Sequence, residues 1–183
     1  MNRILITGGA GFVGSHTASL LLENGYDLII IDSFVNTSKV FLKKICTLFK
    51  NIDEKYEERL KFIECDIRDI NSLDNAVMKI KNLSKSIDIL INNAGVWGAS
   101  VADDGMEKTL EDYEKIVGTN LKGEFLFGRA VIPVMIDQGT GGDIINVIFP
   151  LHSNYISPHK PDSRSYFECE PSQNPLGFWV FPQ

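Results

Sequence analysis

The stretch Ile4-Leu5-Ile6-Thr7-Gly8-Gly9-Ala10-Gly11-Phe12-Val13-Gly14 decides how this chain is read. Three aliphatic residues and a Thr form a short strand, and a glycine-rich turn leads from it straight into an amphipathic helix. A helix N-terminus reached in this way presents backbone N–H groups and the positive end of a dipole, which together suit a phosphate. Gly8 permits the tight turn, Gly11 lets a phosphate approach the backbone, and Gly14 leaves room for close helix packing. The spacing is GxxGxxG rather than GxGxxG, so the loop takes its weight from the strand and acid downstream of it. That second apolar run, Leu28–Asp32, closes on Asp32, where a carboxylate accepts hydrogen bonds from adenosine ribose hydroxyls. Ser33-Phe34-Val35-Asn36 contain no Arg or Lys to pair with a 2′-phosphate, and Asp32 would repel one, so the expected cofactor is NAD rather than NADP.

Outward from this unit, strand-like runs recur at Lys61–Cys65, Ile87–Asn92 and Asp143–Ile148. They are apolar throughout rather than alternating, as in a parallel sheet covered on both faces. Helical stripes fill the gaps. Val13, Thr17 and Leu21 with Ala18 and Leu22 make one, and Phe41, Ile45, Leu48, Phe49 and Ile52 make another, capped by Thr37 or Ser38. Leu73, Ala76, Val77, Ile80 and Leu83 come after Asn71 and Ser72. A longer helix carries Leu110, Tyr113, Ile116, Val117, Leu121 and Phe125 and continues to about Met135, with Pro133 set to kink or end it. The expected fold class is α/β, a Rossmann-type doubly wound parallel sheet that stops after its fifth strand. Residues 1–148 are read as an NAD-binding domain. Residues 149–183 hold most of the chain's seven prolines and show no periodicity, so they are read as an irregular tail.

A net charge of -6 argues against a nucleic-acid partner. Lys39, Lys43, Lys44, Lys50 and Lys55 are interleaved with or followed by Asp53, Glu54, Glu57 and Glu58, the pattern of a solvated surface. Cys46, Cys65 and Cys169 have no CxxC spacing and no His at ligand spacing, so no metal site is expected, and Cys65 reads as a small core residue. No apolar run suits a signal peptide or a membrane span, and a cytoplasmic location is expected.

The motifs carry two resemblances. Residues 1–45 resemble the opening of the UDP-glucose 4-epimerases, extended members of the short-chain dehydrogenase/reductase superfamily, through TGGAGFVGSH at 7–16, the strand closing on Asp32, and Asn36-Thr37-Ser38. That resemblance implies that Phe12, Val13, Asp32 and Asn36 touch NAD. Cys65-Asp66-Ile67-Arg68-Asp69 resembles the same family's third-strand motif, which implies that Asp66 and Ile67 flank the adenine. From about Ile87 to Val147 the resemblance is instead to single-domain dehydrogenases. Asn92-Asn93-Ala94-Gly95 resembles their NNAG motif, which implies Asn92, Ala94 and Gly95 at the cofactor and Asn side chains pinning strands. Gly118–Gly123 resembles the helical segment whose Asn belongs to the catalytic tetrad, here Asn120, and Ala130–Gln138 and Gly142–Val147 continue the match in the manner of sugar- and alcohol-oxidising members. Asn120 shares a stripe with Tyr113 and Val117, so it should be partly buried and hydrogen-bonded. Bridging backbone groups at a helix irregularity and serving a proton relay both remain open for it.

The rest of the family's chemistry is missing. Hydride transfer there uses a Tyr as general acid/base, a Lys after three intervening residues in the Tyr-xxx-Lys pattern, and a Ser; an unassisted phenol titrates near ~10, so it needs that help. The Ser should stand directly after Val147, where Ile148-Phe149-Pro150 is found. Tyr155 is followed at Tyr-xxx-Lys spacing by His159 and Tyr166 by Glu170, while Pro158 and Pro161 would break the required helix. An improvised Ser153–Tyr155–His159 site lacks any geometric warrant, and His152 with His159 has no further ligand at metal spacing. Asp103, Asp104 and Glu107 read as a solvated loop. Three functions are carried: an oxidoreductase acting on a sugar or alcohol, a nucleotide-sugar epimerase, and a non-catalytic NAD-binding remnant. Small-molecule substrates are the expected partners, with homo-oligomerisation open. The loss of motif after Val147 suggests that 149–183 is not the native continuation, as after a frameshift or a fusion of gene fragments. Reading the coding DNA past codon 147 in the other frames should then reveal a Ser and a Tyr-xxx-Lys; their absence from every frame contradicts the idea.

Overall fold

The computed structural model describes residues 3–37, 39–84, 86–96 and 110–147. Ser38, the loop residues Asp103, Asp104 and Glu107, the tail 149–183 with its Ser, Tyr and His candidates, and the side chain of Phe41 lie outside the described residues. Strands β1 (Arg3–Thr7), β2 (Asp27–Asp32), β3 (Leu60–Glu64), β4 (Ile89–Asn92) and β5 (Asp143–Asn146) form one parallel sheet in the order β3-β2-β1-β4-β5. Around them run α1 (Phe12–Glu23), α2 (Lys39–Ile52), the single turn α3 (Tyr56–Arg59), α4 (Ile70–Leu83), α5 (Leu110–Val117), a π-helical segment (Gly118–Gly123) and α6 (Glu124–Asp137).

Uniformly apolar strands result from burial on both sides. Leu5, Ile29, Ile31, Ile63 and Leu90 pack against α4 and α6, whereas Ile4, Ile6, Leu28, Ile30 and Ile91 pack against α1 and α2. Each such side chain removed from water contributes about 2 kcal/mol. Thus the alternation of the strands distributes one apolar run over two cores.

Several boundaries and faces differ from expectation. Ile87 precedes β4 rather than opening it, because its N–H donates to Gln138 Oε1 at 2.8 Å and its carbonyl accepts from Gln138 Nε2 at 2.9 Å. β5 ends at Asn146, two residues short of Ile148. On α1 the buried face is Gly14, Ser15, Ala18, Ser19 and Leu22, not the stripe through Val13. Small residues let the helix lie close to the sheet, and the Ser15 and Ser19 hydroxyls donate to carbonyls of their own helix, Phe12 and Ser15. α4 is capped by Asp69, whose carboxylate accepts from the Asn71 N–H at 3.1 Å, while the Ser72 hydroxyl accepts from the Asp66 N–H.

The long fourth helix is three pieces. Leu110, Tyr113, Leu121 and Phe125 are exposed, and the buried face of α6 is Phe127, Val131, Val134 and Met135. A π turn inserts one residue into the helical count and so rotates the next face by about 100°. A stripe extrapolated through it at normal spacing therefore lands on the wrong side. Pro133 lies inside α6, which continues to Asp137.

Two glycines test this packing with opposite signs. A Cβ on Gly14 would sit 2.2 Å from the Gly8 carbonyl oxygen and 2.7 Å from Gly9 Cα, both backbone atoms that cannot swing away. Gly14→Ala should therefore lower stability by about 2 kcal/mol despite the gain in helix propensity. A Cβ on Gly128 meets nothing within 4 Å, so Gly128→Ala should raise stability by up to about 1 kcal/mol. Urea midpoints of the two variants check both signs.

Candidate functional site

The strand order reverses between β1 and β4, and a groove of about 300 Å³ opens beyond their carboxyl ends. This is where the two crossovers leave on opposite faces of the sheet. Gly8 turns there at φ +65°, in the left-handed region, and a Cβ on it would meet Ala94 Cα at 2.7 Å. The loop then closes through Gly11 N–H to the Gly8 carbonyl at 3.0 Å, and Ser15 N–H donates to the Gly11 carbonyl at 2.9 Å. Gly11 is thus the N-cap of α1. No side chain caps that end and no acid stands in the first turn, so the N–H groups of that turn are left free of an internal partner on the groove side.

Most sequence-predicted residues converge on this groove. Gly8, Gly11, Phe12, Val13, Gly14, Asp32, Asn36, Asp66, Ile67, Ala94 and Gly95 all line it. Asn92 does not. It lies on the other side of β4, its Nδ2 donating to Asn146 Oδ1 at 2.8 Å, and it lines a separate cavity; its placement at the cofactor is corrected to a clamp between β4 and β5. The alternation of the strand decides this, since adjacent residues face opposite ways and Asn93 therefore takes the groove side. Asn93 Nδ2 donates to the Thr7 and Gly8 carbonyls at 3.0 and 3.2 Å, and the Thr7 hydroxyl accepts the N–H groups of Asn93 and Ala94, both at 3.0 Å. Asn93 was legible as half of the NNAG pair, but nothing in the motif itself said which Asn faces which way.

Asn120 lies outside the groove lining, in the π segment. Its Oδ1 accepts the Val96 N–H at 2.8 Å and its Nδ2 donates to the Val96 carbonyl at 3.1 Å. It therefore holds the loop after β4 by backbone bridging at a helix irregularity, one of the two roles left open. The segment's two bounding glycines receive the β3 loop: a Cβ on Gly123 would meet Ile67 Cδ1 at 2.7 Å, and one on Gly118 would lie 3.7 Å from Arg68 Cδ.

In the loop after β3, the Arg68 guanidinium binds Asp66 through Nη2 to Oδ2 at 2.6 Å and Nε to Oδ1 at 3.0 Å. Hydrogen bonds from Arg68 hold the Asp66 carboxyl below its usual range. Arg68, from the third-strand motif, also lines the groove, as do Lys115 and Thr119, which the fold brings there from a segment that no local motif connects to it. Cys65 is buried as expected, and burial pushes its thiol pKa up.

This geometry is shared with known proteins. Residues 2–151 match the family model described as short chain dehydrogenase. The chain belongs to that family. An uncharacterized oxidoreductase of Thermotoga maritima is 29% identical over 167 residues, covering 88% of this chain and 57% of the relative. UDP-glucose 4-epimerase 2 of Arabidopsis thaliana is 34% identical over 117 residues, 63% of this chain and 30% of that protein. The crystal structure of an NAD+-bound xylitol dehydrogenase superposes with a TM-score of 0.64 at 26% identity, covering 79% of this chain and 52% of that one. The chain thus spans about half or less of the length of these family members. Among the described residues no helix is long and apolar enough to cross a membrane.

The second cavity, about 540 Å³, lies between α6 and the ends of β4 and β5, and Glu124 lines it with Phe125, Gly128, Arg129 and Ile132. Burial pushes the Glu124 carboxyl up to about 7, and desolvation is the cause. A carboxyl whose folded pKa is raised binds its proton more tightly in the native state. Its unfavourable contribution therefore grows as pH rises from about 4.5, its ordinary value, to about 7 and is constant above. Glu124→Gln should raise stability by about 1 kcal/mol at pH 8, since solvent partly screens the half-buried carboxylate, and leave it unchanged at pH 4. Urea melts of both proteins at the two pH values check this; equal gains at both would contradict it.

Proposed function

We propose that this chain binds NAD in the groove at the β1–β4 switch, as the cofactor domain of a short-chain oxidoreductase whose own hydride chemistry is impaired. The observation that carries the reading is the uncapped, acid-free N-terminus of α1, held open by Gly8, Gly11 and Gly14 directly beside Asp32. A Cβ at Gly14 would strike the loop backbone at Gly8 and Gly9, so glycine there lets the loop close tightly onto α1, whereas one on Gly11 would meet only the Gly8 carbonyl, at 3.2 Å; the space left beside Gly11 fits a pyrophosphate. Gly11, Phe12, Val13 and Gly14 would hold that group, and Asp32 with Asn36 the adenosine ribose. Asp66 and Ile67 would flank the adenine, and Ala94 and Gly95 would leave room for the nicotinamide ribose. NAD supplies a hydride acceptor; this chain's residues bind and orient it. Preference over NADP rests on Asp32 and on the absence of Arg and Lys from 33–36.

The impairment rests on sequence. Neither Tyr155 nor Tyr166 has a Lys at the Tyr-xxx-Lys position, and no Ser stands directly after Val147. Asn120, the one tetrad residue matched, has its amide engaged by the Val96 backbone. The substrate class of the ancestral enzyme is a sugar or alcohol, with a nucleotide sugar supported by the epimerase-like opening and the Arabidopsis relative.

The test pairs stability with turnover. Millimolar NAD should raise the melting temperature of the purified chain, while NADH formation from simple sugars and alcohols and UDP-galactose interconversion both stay at background. Turnover in the first assay would restore the oxidoreductase and in the second the epimerase; no NAD-induced shift would remove the cofactor role.

A further inference from the structure

Asp32 enters the proposed function as the residue that recognises ribose, yet its carboxylate is also engaged by two backbone N–H groups. Oδ2 accepts the Ala10 N–H at 3.0 Å, and Oδ1 accepts the Phe34 N–H at 2.9 Å. Ala10 belongs to the glycine loop and is fully buried, and Phe34 belongs to the loop on the adenosine side. Neither N–H has a strand partner, because both lie past the last ladder pairs of β1 and β2, Thr7↔Ile31 and Asp32↔Glu64. One side chain therefore joins the two loops that shape opposite ends of the groove.

We propose that Asp32 is a positioning residue for the phosphate loop as well as a selector of the cofactor, so that removing its carboxylate cannot convert the chain from NAD to NADP. The inference rests on the NAD reading for its second half only. An ionised carboxylate offers about four acceptor positions. The two backbone N–H groups take two, and about two remain, enough for both ribose hydroxyls. Bracing and recognition therefore coexist in Asp32 and in no smaller residue.

The local backbone shows why the brace is needed. Phe34 is the described non-glycine residue with a positive φ, 54°, a conformation that side chains rarely adopt. Its N–H bond to Asp32 and its ring contact with Phe62, centroids 6.4 Å apart, offset that cost. On the other side, Ala10 immediately precedes Gly11, the N-cap whose carbonyl receives the Ser15 N–H. A shift of Ala10 moves the first turn of α1, which is the proposed pyrophosphate site. Asn in place of Asp32 keeps a single acceptor oxygen and sets an NH2 group against one of the two N–H donors; Ser keeps one hydroxyl oxygen, which cannot hold both loops as the two carboxylate oxygens do.

Two measurements test this. Amide exchange by NMR in the ligand-free protein should show the Ala10 and Phe34 N–H groups protected, and both exchanging about tenfold faster in Asp32→Asn while Leu5 and Leu90 keep their protection. Unprotected Ala10 and Phe34 in the wild-type protein, or unchanged rates in the variant, would overturn the brace; the wild-type result decides alone if the variant does not fold. Titration of Asp32→Ser should show affinity for NADH down by about tenfold or more and no gain for NADPH. A gain for NADPH at the expense of NADH would make Asp32 a selector and nothing else. If the wild-type chain binds neither dinucleotide, the NAD reading fails, and the exchange data still decide the brace.

Discussion

Where β1 and β4 run out of ladder partners, Thr7 and Asn93 take over the hydrogen bonding that the sheet no longer supplies. The Thr7 hydroxyl accepts two backbone N–H groups, and the Asn93 amide donates to two backbone carbonyls. These groups are buried, and an unpaired backbone donor or acceptor there would cost about as much as a lost hydrogen bond. The cross-link pairs backbone groups of Thr7, Gly8, Asn93 and Ala94 where the two strands separate at their ends. The groove, the Gly8 turn against Ala94 and the entry into α1 all depend on that divergence. A fold that reverses its strand order needs such a device at the reversal, and here it is built from one hydroxyl and one amide.

The same economy extends around the groove. Asp32 ties the glycine loop to the Phe34 turn, and Asn120 ties the π segment to the loop after β4. Ile67 and Arg68 rest on the two glycines that bound that segment. Polar side chains with several hydrogen-bonding positions thus link three loops and the π segment, which the backbone ladder does not reach. Their shared property is geometry rather than charge, and the rigidity they confer is what a phosphate site requires, since donors must be in place before the anion arrives.

The fold was legible because its determinants are local. Apolar runs bounded by Gly and Asp mark β1 and β2, and crossover handedness limits the sheet order once the strands are known. The groove residues Gly8, Gly11, Gly14 and Asp32 were readable for the same reason: each sits at a strand end or a helix start. The features that were not legible depend on registration between distant segments. Whether Asn92 or Asn93 faces the groove is set by which residue of β4 lies beside Ile6. The buried face of α6 is offset from the stripe through Leu121 and Phe125 by one residue inserted in a π turn. Lys115 and Thr119 reach the groove only because α5 and the π segment pass over it. Ile87 looked like strand and is instead paired by the Gln138 side chain, an interaction across 51 residues that no window detects.

An NAD site in the β1–β4 groove, with its specificity written at the end of β2, is tested most directly by a fluorescence titration of the purified chain with NADH, run beside NADPH. Saturable NADH binding in the micromolar range and much weaker NADPH binding are expected. A folded chain that takes up neither dinucleotide, or both equally well, would contradict that assignment.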